Sequence, residues 1–295
     1  MAIMKKVLVV GASGYLGRYA VHEFKERGFH VTVLVRNPEK IKTPGPYGEP
    51  AVFSIADEII VRDVAFTENL NGLCEGIDIV FSWLDMISPH SKLDNCDVDH
   101  LDNRRILHQA VVAKVSRFIY VSVFNEDKMH DLPLIRAHEL FVADLKASGL
   151  SWAVICPNGY FSDMGRYFSM ARTGHMFMAG RGDKKMNPVH GADIAKVCAD
   201  AVNGDCRKIT VGGPDIYTFR EIMEMAFHAC GKTPWITSFP MWLVDGIHMG
   251  VSFFNSNLAD LMSFAVEAVK IDHVAPSYGN RHLKNFFAEL AIEPK

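Results

Sequence analysis

Six cysteines (Cys74, Cys96, Cys156, Cys198, Cys206 and Cys230) are scattered through 295 residues; none form a C-x-x-C pair or stand at ligand-like spacing from a histidine. That pattern speaks against a disulfide framework and a zinc site, and fits free thiols in a reducing compartment with no metal. There is also no dense Lys/Arg run, and a formal net charge of −3 offers no basic face for nucleic acid. No uninterrupted apolar stretch reaches the roughly 18 residues that a spanning helix needs. The nearest approach, "MWLVDGIHMGVSFFNSNLADLMSFAVEAV", is broken by Asp245, His248 and Asp260 and reads as a buried helical pair or a dimer face. The opening "MAIMKKVLVV" lacks the longer apolar region and small-residue cleavage site of a signal peptide, so a cytoplasmic location is expected. Internal repeats and low-complexity tracts are absent as well.

What is present is an alternation of short apolar runs with amphipathic helical patterns. "KVLVV" (6–10), "HVTVLV" (30–35), "EIIV" (58–61), "IDIVFS" (77–82), "RFIYVSV" (117–123) and "WAVIC" (152–156) read as strands. Runs of this kind without polar alternation suit a sheet covered on both faces. Strand–helix–strand repetition then gives the α/β class, a doubly wound parallel (Rossmann) sheet over residues 1–160. A smaller, mainly helical substrate or lid region is expected over 161–295, with the 187–215 segment, including the strand "KITV", returning to the first domain. Thr218 with Glu221 three residues on is a capping-box pattern at a helix start.

The first strand runs into "GASGYLGR", with glycines at Gly11, Gly14 and Gly17 and a helical pattern beyond. A helix that starts there leaves its first N–H groups unpaired at its positive end, a seat for a diphosphate. Gly11 permits the tight turn, Gly14 opens the backbone to phosphates, and Gly17 allows helix and strand to pack closely. Ser13 adds a hydroxyl, and Tyr15 and Leu16 complete the first turn. The spacing is G-x-x-G-x-x-G rather than G-x-G-x-x-G. A nucleophile elbow is excluded because Gly14 directly follows Ser13. Where strand two ends, dinucleotide sites usually carry an acidic residue for the ribose 2′-OH. Here "LVRNPEK" supplies Arg36 and then Lys40, cations suited to a 2′-phosphate, so NADP(H) is expected over NAD(H).

With those residues in place the chain resembles the atypical short-chain dehydrogenases/reductases, of the NmrA-like and complex I 39-kDa-subunit-like kind. "GASGYLGR", "LVRNPEK", "RDV", "RFIYVSV", "SGLSWAVICPNGYF", "NPVHGADIA" and "ITVGGPDIYTFREI" carry the resemblance over nearly the full length. It implies that Asp63 and Val64 lie against the adenine, and that Ser82 and Trp83 flank the ribose and diphosphate. It further implies that Ser122, Pro157, Asn158 and Gly159 sit near the nicotinamide. Asn187 and His190 resemble the family's return segment.

The superfamily's usual Tyr-x-x-x-Lys pair is missing: none of the eight tyrosines has a lysine four residues later. Some atypical relatives place a lysine on the helix before "SGL"; His138 falls at that position here and can shuttle protons near neutral pH. Ser122 and Tyr160 are the other candidate catalytic groups. Two readings follow. One is an NADP-dependent oxidoreductase acting on a small carbonyl or activated alkene. The other is a non-catalytic NADP(H)-binding redox sensor, regulator or assembly subunit. The Phe-, Tyr- and Met-rich "GYFSDMGRYFSMARTGHMFM" suits an apolar small-molecule substrate, a protein-binding face, or plain core.

Overall fold

Val7 to Val10 have no solvent exposure, which requires cover on both faces of their strand. The computed structural model, which describes residues 4–66, 70–84, 95–252 and 255–292, supplies that cover. The strands of its main sheet are β1 (Lys6–Val10), β2 (His30–Val35), β3 (Glu58–Val61), β4 (Ile79–Ser82), β5 (Arg117–Val121) and β6 (Ser151–Pro157). Two short pairs, β7 (Met176–Ala179) with β11 (Ile236–Phe239) and β8 (Lys185–Met186) with β10 (Tyr217–Thr218), lie outside it, and β9 (Arg207–Val211) completes it. The seven strands run in the order β3-β2-β1-β4-β5-β6-β9, all parallel. This is the doubly wound sheet expected from the sequence. Its order reverses beside β1, so the crevice at the carboxyl ends of β1 and β4 is where such folds hold ligands.

Side-chain alternation divides the core. Val7, Val9, Ile119 and Ile155 face α1 (Tyr15–Glu26), while Leu8, Val10, Phe118, Tyr120 and Cys156 face α2 (Asn95–Val112) and α3 (Pro133–Ala147). α5 (Gly191–Asp200) packs along α1. Cys74, Cys156, Cys198, Cys206 and Cys230 are free thiols; the Cys96 side chain lies outside the described residues.

The helical remainder comprises α4 (Phe161–Thr173), α6 (Phe219–Ala229), α7 (Met241–Ser252), α8 (Ser256–Ala268) and α9 (Leu283–Ile292). Of the three roles open to the aromatic and Met-rich stretch, core accounts for most of it. Phe161, Met164, Phe168, Met176 and Met178 are buried with Phe227, Phe286 and Phe287. The capping box at α6 forms in both directions: Glu221 N–H donates to Thr218 Oγ1 at 3.2 Å and Thr218 N–H to Glu221 Oε2 at 2.6 Å. The helical pair expected near residue 250 also forms, as α7 against α8. Its expected burial does not, because Trp242 and Ile247 on α7 are exposed.

Candidate functional site

The glycine loop closes with Gly14 N–H donating to the Gly11 carbonyl at 3.0 Å. Gly11 has φ +84°, the left-handed region that glycine tolerates. A Cβ there would stand 1.7 Å from the Trp83 carbonyl oxygen, and one on Gly17 would stand 2.0 Å from that of Gly11. Tight turn and close packing therefore both demand glycine. A Cβ on Gly14 would meet the benzo edge of the Trp83 indole at 2.4 Å. α1 starts at Tyr15 with no side-chain cap and no acidic residue in its first turn. That leaves its positive end available to an anion.

Within that first turn, Leu16 is fully buried and contributes only backbone. The Tyr15 side chain turns away to accept a hydrogen bond from Gly191 N–H at 3.1 Å, and burial holds its phenol well above the usual range. Ser13 offers its carbonyl to Arg18 Nε at 3.2 Å. Arg18 is the first residue that sequence reasoning missed. It is buried, and its guanidinium also binds the carbonyls of Thr43 (2.6 Å), Pro50 (3.1 Å) and Lys40. One cation thus ties the glycine loop to the loop that follows β2.

On that second loop Arg36 and Lys40 are exposed, and neither side chain has a partner among the described residues. Asn37 caps the turn between them, accepting from Glu39 N–H at 2.9 Å. At the end of β3, Asp63 folds into an Asx turn with Ala65 N–H (3.1 Å), and Val64 is buried. Ser82, at the end of β4, is fully buried and donates to Asn103 Oδ1 of α2 at 2.6 Å. Its hydroxyl therefore docks a helix. Trp83 Nε1–H donates to Tyr160 Oη at 3.2 Å.

β5 and α3 bring together the groups with acid–base capacity. Tyr120 Oη lies 2.5 Å from His138 Nδ1, a phenol–imidazole pair that no local sequence pattern announces. Ser122 follows directly on β5, two residues past Tyr120. Ser122 is buried, its N–H donates to the Ile155 carbonyl at 2.7 Å, and its hydroxyl has no partner among the described residues. The Tyr160 ring lies beside those of Trp83 and Tyr15.

β6 ends on the buried Pro157, and Asn158 and Gly159 follow it. The Asn158 amide donates to Asn187 Oδ1 and to the His273 carbonyl, each at 2.5 Å. Asn187 in turn donates to the carbonyls of Gly213 (3.1 Å) and Ala275 (2.9 Å). These two amides fasten the chain's return segments to the sheet edge. Gly159 has φ +65°. His190 caps α5, accepting from Ala192 N–H at 3.1 Å, and burial lowers its pKa to about 4. His273, also missed in the sequence, packs its Nδ1 3.0 Å from Asn125 Nδ2. Its Nε2 has no hydrogen-bond partner among the described residues.

Among the described residues no group of three or more His, Cys, Asp or Glu is arranged to hold a metal ion, and no helix is long and apolar enough to cross a membrane. The profile of a family described as NAD(P)H-binding matches residues 11–205. The chain is 26% identical to the chloroplastic divinyl chlorophyllide a 8-vinyl-reductase of Cucumis sativus, over 97% of this chain and 76% of that protein. It is 25% identical to the photosystem II assembly factor Ycf39 of Guillardia theta, over 88% and 82%. An NADPH-dependent quinone oxidoreductase of Escherichia coli, complexed with NADPH, superimposes with a TM-score of 0.73 at 18% identity, covering 96% of this chain and 99% of that one. A nucleoside-diphosphate-sugar epimerase of Staphylococcus aureus gives 0.71 at 17%, covering 98% and 96%. With a seven-stranded parallel sheet, a G-x-x-G-x-x-G turn into α1 and this match to two-thirds of its length, the chain belongs to the NAD(P)H-binding family.

Proposed function

We propose that this protein is an NADP(H)-dependent reductase of an activated alkene or carbonyl. The residues fit the dinucleotide: the cradle at Gly11 and Gly17 admits no side chain, and the first turn of α1 offers uncapped N–H groups. Arg36 and Lys40, exposed beside that turn, would hold the 2′-phosphate, with Asp63 and Val64 toward the adenine. Trp83 and Gly159 would border the ribose and nicotinamide. When bound, NADPH supplies a hydride.

The observation that carries the reading is the Tyr120–His138 contact; Ser122, two residues on from Tyr120, has a hydroxyl that no described residue uses. Reduction of C=C or C=O also needs one proton. Ser122 would hydrogen-bond the substrate's electron-accepting oxygen, and the phenol–imidazole pair would release the proton and recover it from solvent. A relative's name bears on the substrate: a divinyl chlorophyllide a 8-vinyl-reductase is named for reducing a vinyl group, an alkene.

One observation favours the second reading, an NADP(H)-binding regulator or assembly subunit. The aromatic and Met-rich stretch that suited an apolar ligand is mostly spent on packing α4 against α6 and α9. Stopped-flow mixing of the NADPH complex with a divinyl chlorophyllide and with a small quinone separates the two. Consumption of NADPH with either compound supports the reductase. Tight NADPH binding with no consumption supports the regulator.

A further inference from the structure

Arg18 stands in the first turn of α1, yet only 5% of it is exposed. A guanidinium carries five N–H donors in a fixed planar fork and accepts nothing. Four of those donors are committed to main-chain carbonyls: Nε to Ser13, Nη1 to both Thr43 and Pro50, and Nη2 to Lys40. Burial lowers the pKa of Arg18, and the nearby Glu49 carboxylate, itself 2% exposed, opposes that shift. A buried cation bonded in this way has almost nothing left to offer a nucleotide directly. What it does, it does through the backbone it holds.

The four carbonyls come from two loops. Ser13 belongs to the glycine turn, and Lys40, Thr43 and Pro50 to the loop after β2. Each loop also has hydrogen bonds of its own. In the first, Gly14 N–H donates to the Gly11 carbonyl at 3.0 Å and Arg18 N–H to that of Gly14 at 3.2 Å. In the second, Val52 N–H and Phe53 N–H both donate to the Ile41 carbonyl at 3.0 Å, and Gly45 N–H to that of Glu49 at 2.8 Å. The guanidinium therefore shapes neither loop alone. It fastens one to the other.

We propose that Arg18 sets the preference for NADPH over NADH, as a positioning residue that holds Lys40 in a fixed place relative to the glycine turn. This rests on the 2′-phosphate being held at Arg36 and Lys40 and the diphosphate at the start of α1. NADH has no phosphate to offer the second loop, whereas NADPH engages both. Only NADPH gains when the two loops are fastened in advance, because the cost of ordering them is already met. The carbonyl bonded to Nη2 belongs to Lys40 itself, so the fork fixes the backbone that carries that ammonium group. Lysine at position 18 keeps the charge but has no planar fork with which to reach carbonyls of two loops at once.

Calorimetric titration of the full chain, of Arg18→Lys, of Lys40→Gln and of the double variant, each with NADPH and with NADH, tests this. Each single substitution should weaken NADPH about 10-fold, near the worth of one charge-assisted hydrogen bond, and leave NADH within about 2-fold. The double variant should bind NADPH no more weakly than either single one, because Arg18 acts through Lys40. Losses in Arg18→Lys that fall equally on both nucleotides, or that multiply to about 100-fold in the double variant, overturn the proposal. A wild type without preference, or a Lys40→Gln chain with wild-type affinities, instead removes the 2′-phosphate site on which the proposal stands, and the proposal with it. Nitrogen-15 NMR of the wild type decides the matter even if Arg18→Lys does not fold. The Arg18 Nη resonances should shift on adding NADPH and stay in place with NADH; equal shifts with both would refute the role.

Discussion

The Trp83 indole lies against Gly14 and donates its Nε1–H to the Tyr160 phenol at 3.2 Å. The glycine turn is thus clamped through one side chain to the junction between β6 and α4. Gly14→Ala drives a Cβ to 2.4 Å from the ring, an overpacking expected to cost about 1–3 kcal/mol. Trp83→Leu in the same chain should recover most of that loss. Urea unfolding of the two single variants and the double gives the coupling energy; additive losses would mean that the indole does not oppose Gly14.

The Tyr120–His138 pair should govern proton delivery. Tyr120→Phe and His138→Gln are each expected to lower single-turnover NADPH oxidation by about 10²–10⁴-fold, with NADPH affinity unchanged. Because the two groups act as one, the double variant should be little worse than either. Wild-type turnover in either single variant would remove the pair from the chemistry.

His190 makes stability depend on pH. Its folded pKa is about 4 against an ordinary 6.5, because burial and then Arg281 oppose its charge. Between those values the unfolded chain binds a proton that the folded chain does not, so this residue's contribution falls as pH drops from 6.5 toward 4. The loss should reach roughly 3 kcal/mol and level off below pH 4. Denaturant unfolding across that range reads it. His190→Asn keeps a capping side chain and should flatten this part of the curve; an unaltered slope would place the titration elsewhere.

The sheet was legible because burial on two faces writes itself into consecutive residues, as in "KVLVV", and the α6 cap because both partners lie three residues apart. Arg18 was not, since a basic residue on an amphipathic helix reads as solvent-facing until the Thr43 and Pro50 carbonyls are folded over it. The same holds for Ser82 with Asn103, and for Asn158 with Asn187, whose partners come from separate elements. Tyr120 was set aside by the search for a lysine four residues on, whereas its partner arrives from α3, 18 residues away. In the Phe-, Tyr- and Met-rich stretch, apolar composition alone left core, pocket and partner face open. Packing against α6 and α9 accounts for most of it, and Phe177 and Met170 are left facing out.

The account rests on a diphosphate held at the start of α1 and a 2′-phosphate held by Arg36 and Lys40. Calorimetric titration of the wild-type chain and of Arg36→Asp, with NADPH and with NADH, measures this directly. NADPH should bind the wild type more tightly, and the substitution should weaken NADPH by about 10- to 100-fold, the worth of one or two charge-assisted hydrogen bonds, while changing NADH little. Equal losses for the two nucleotides, or no heat with either, would contradict it.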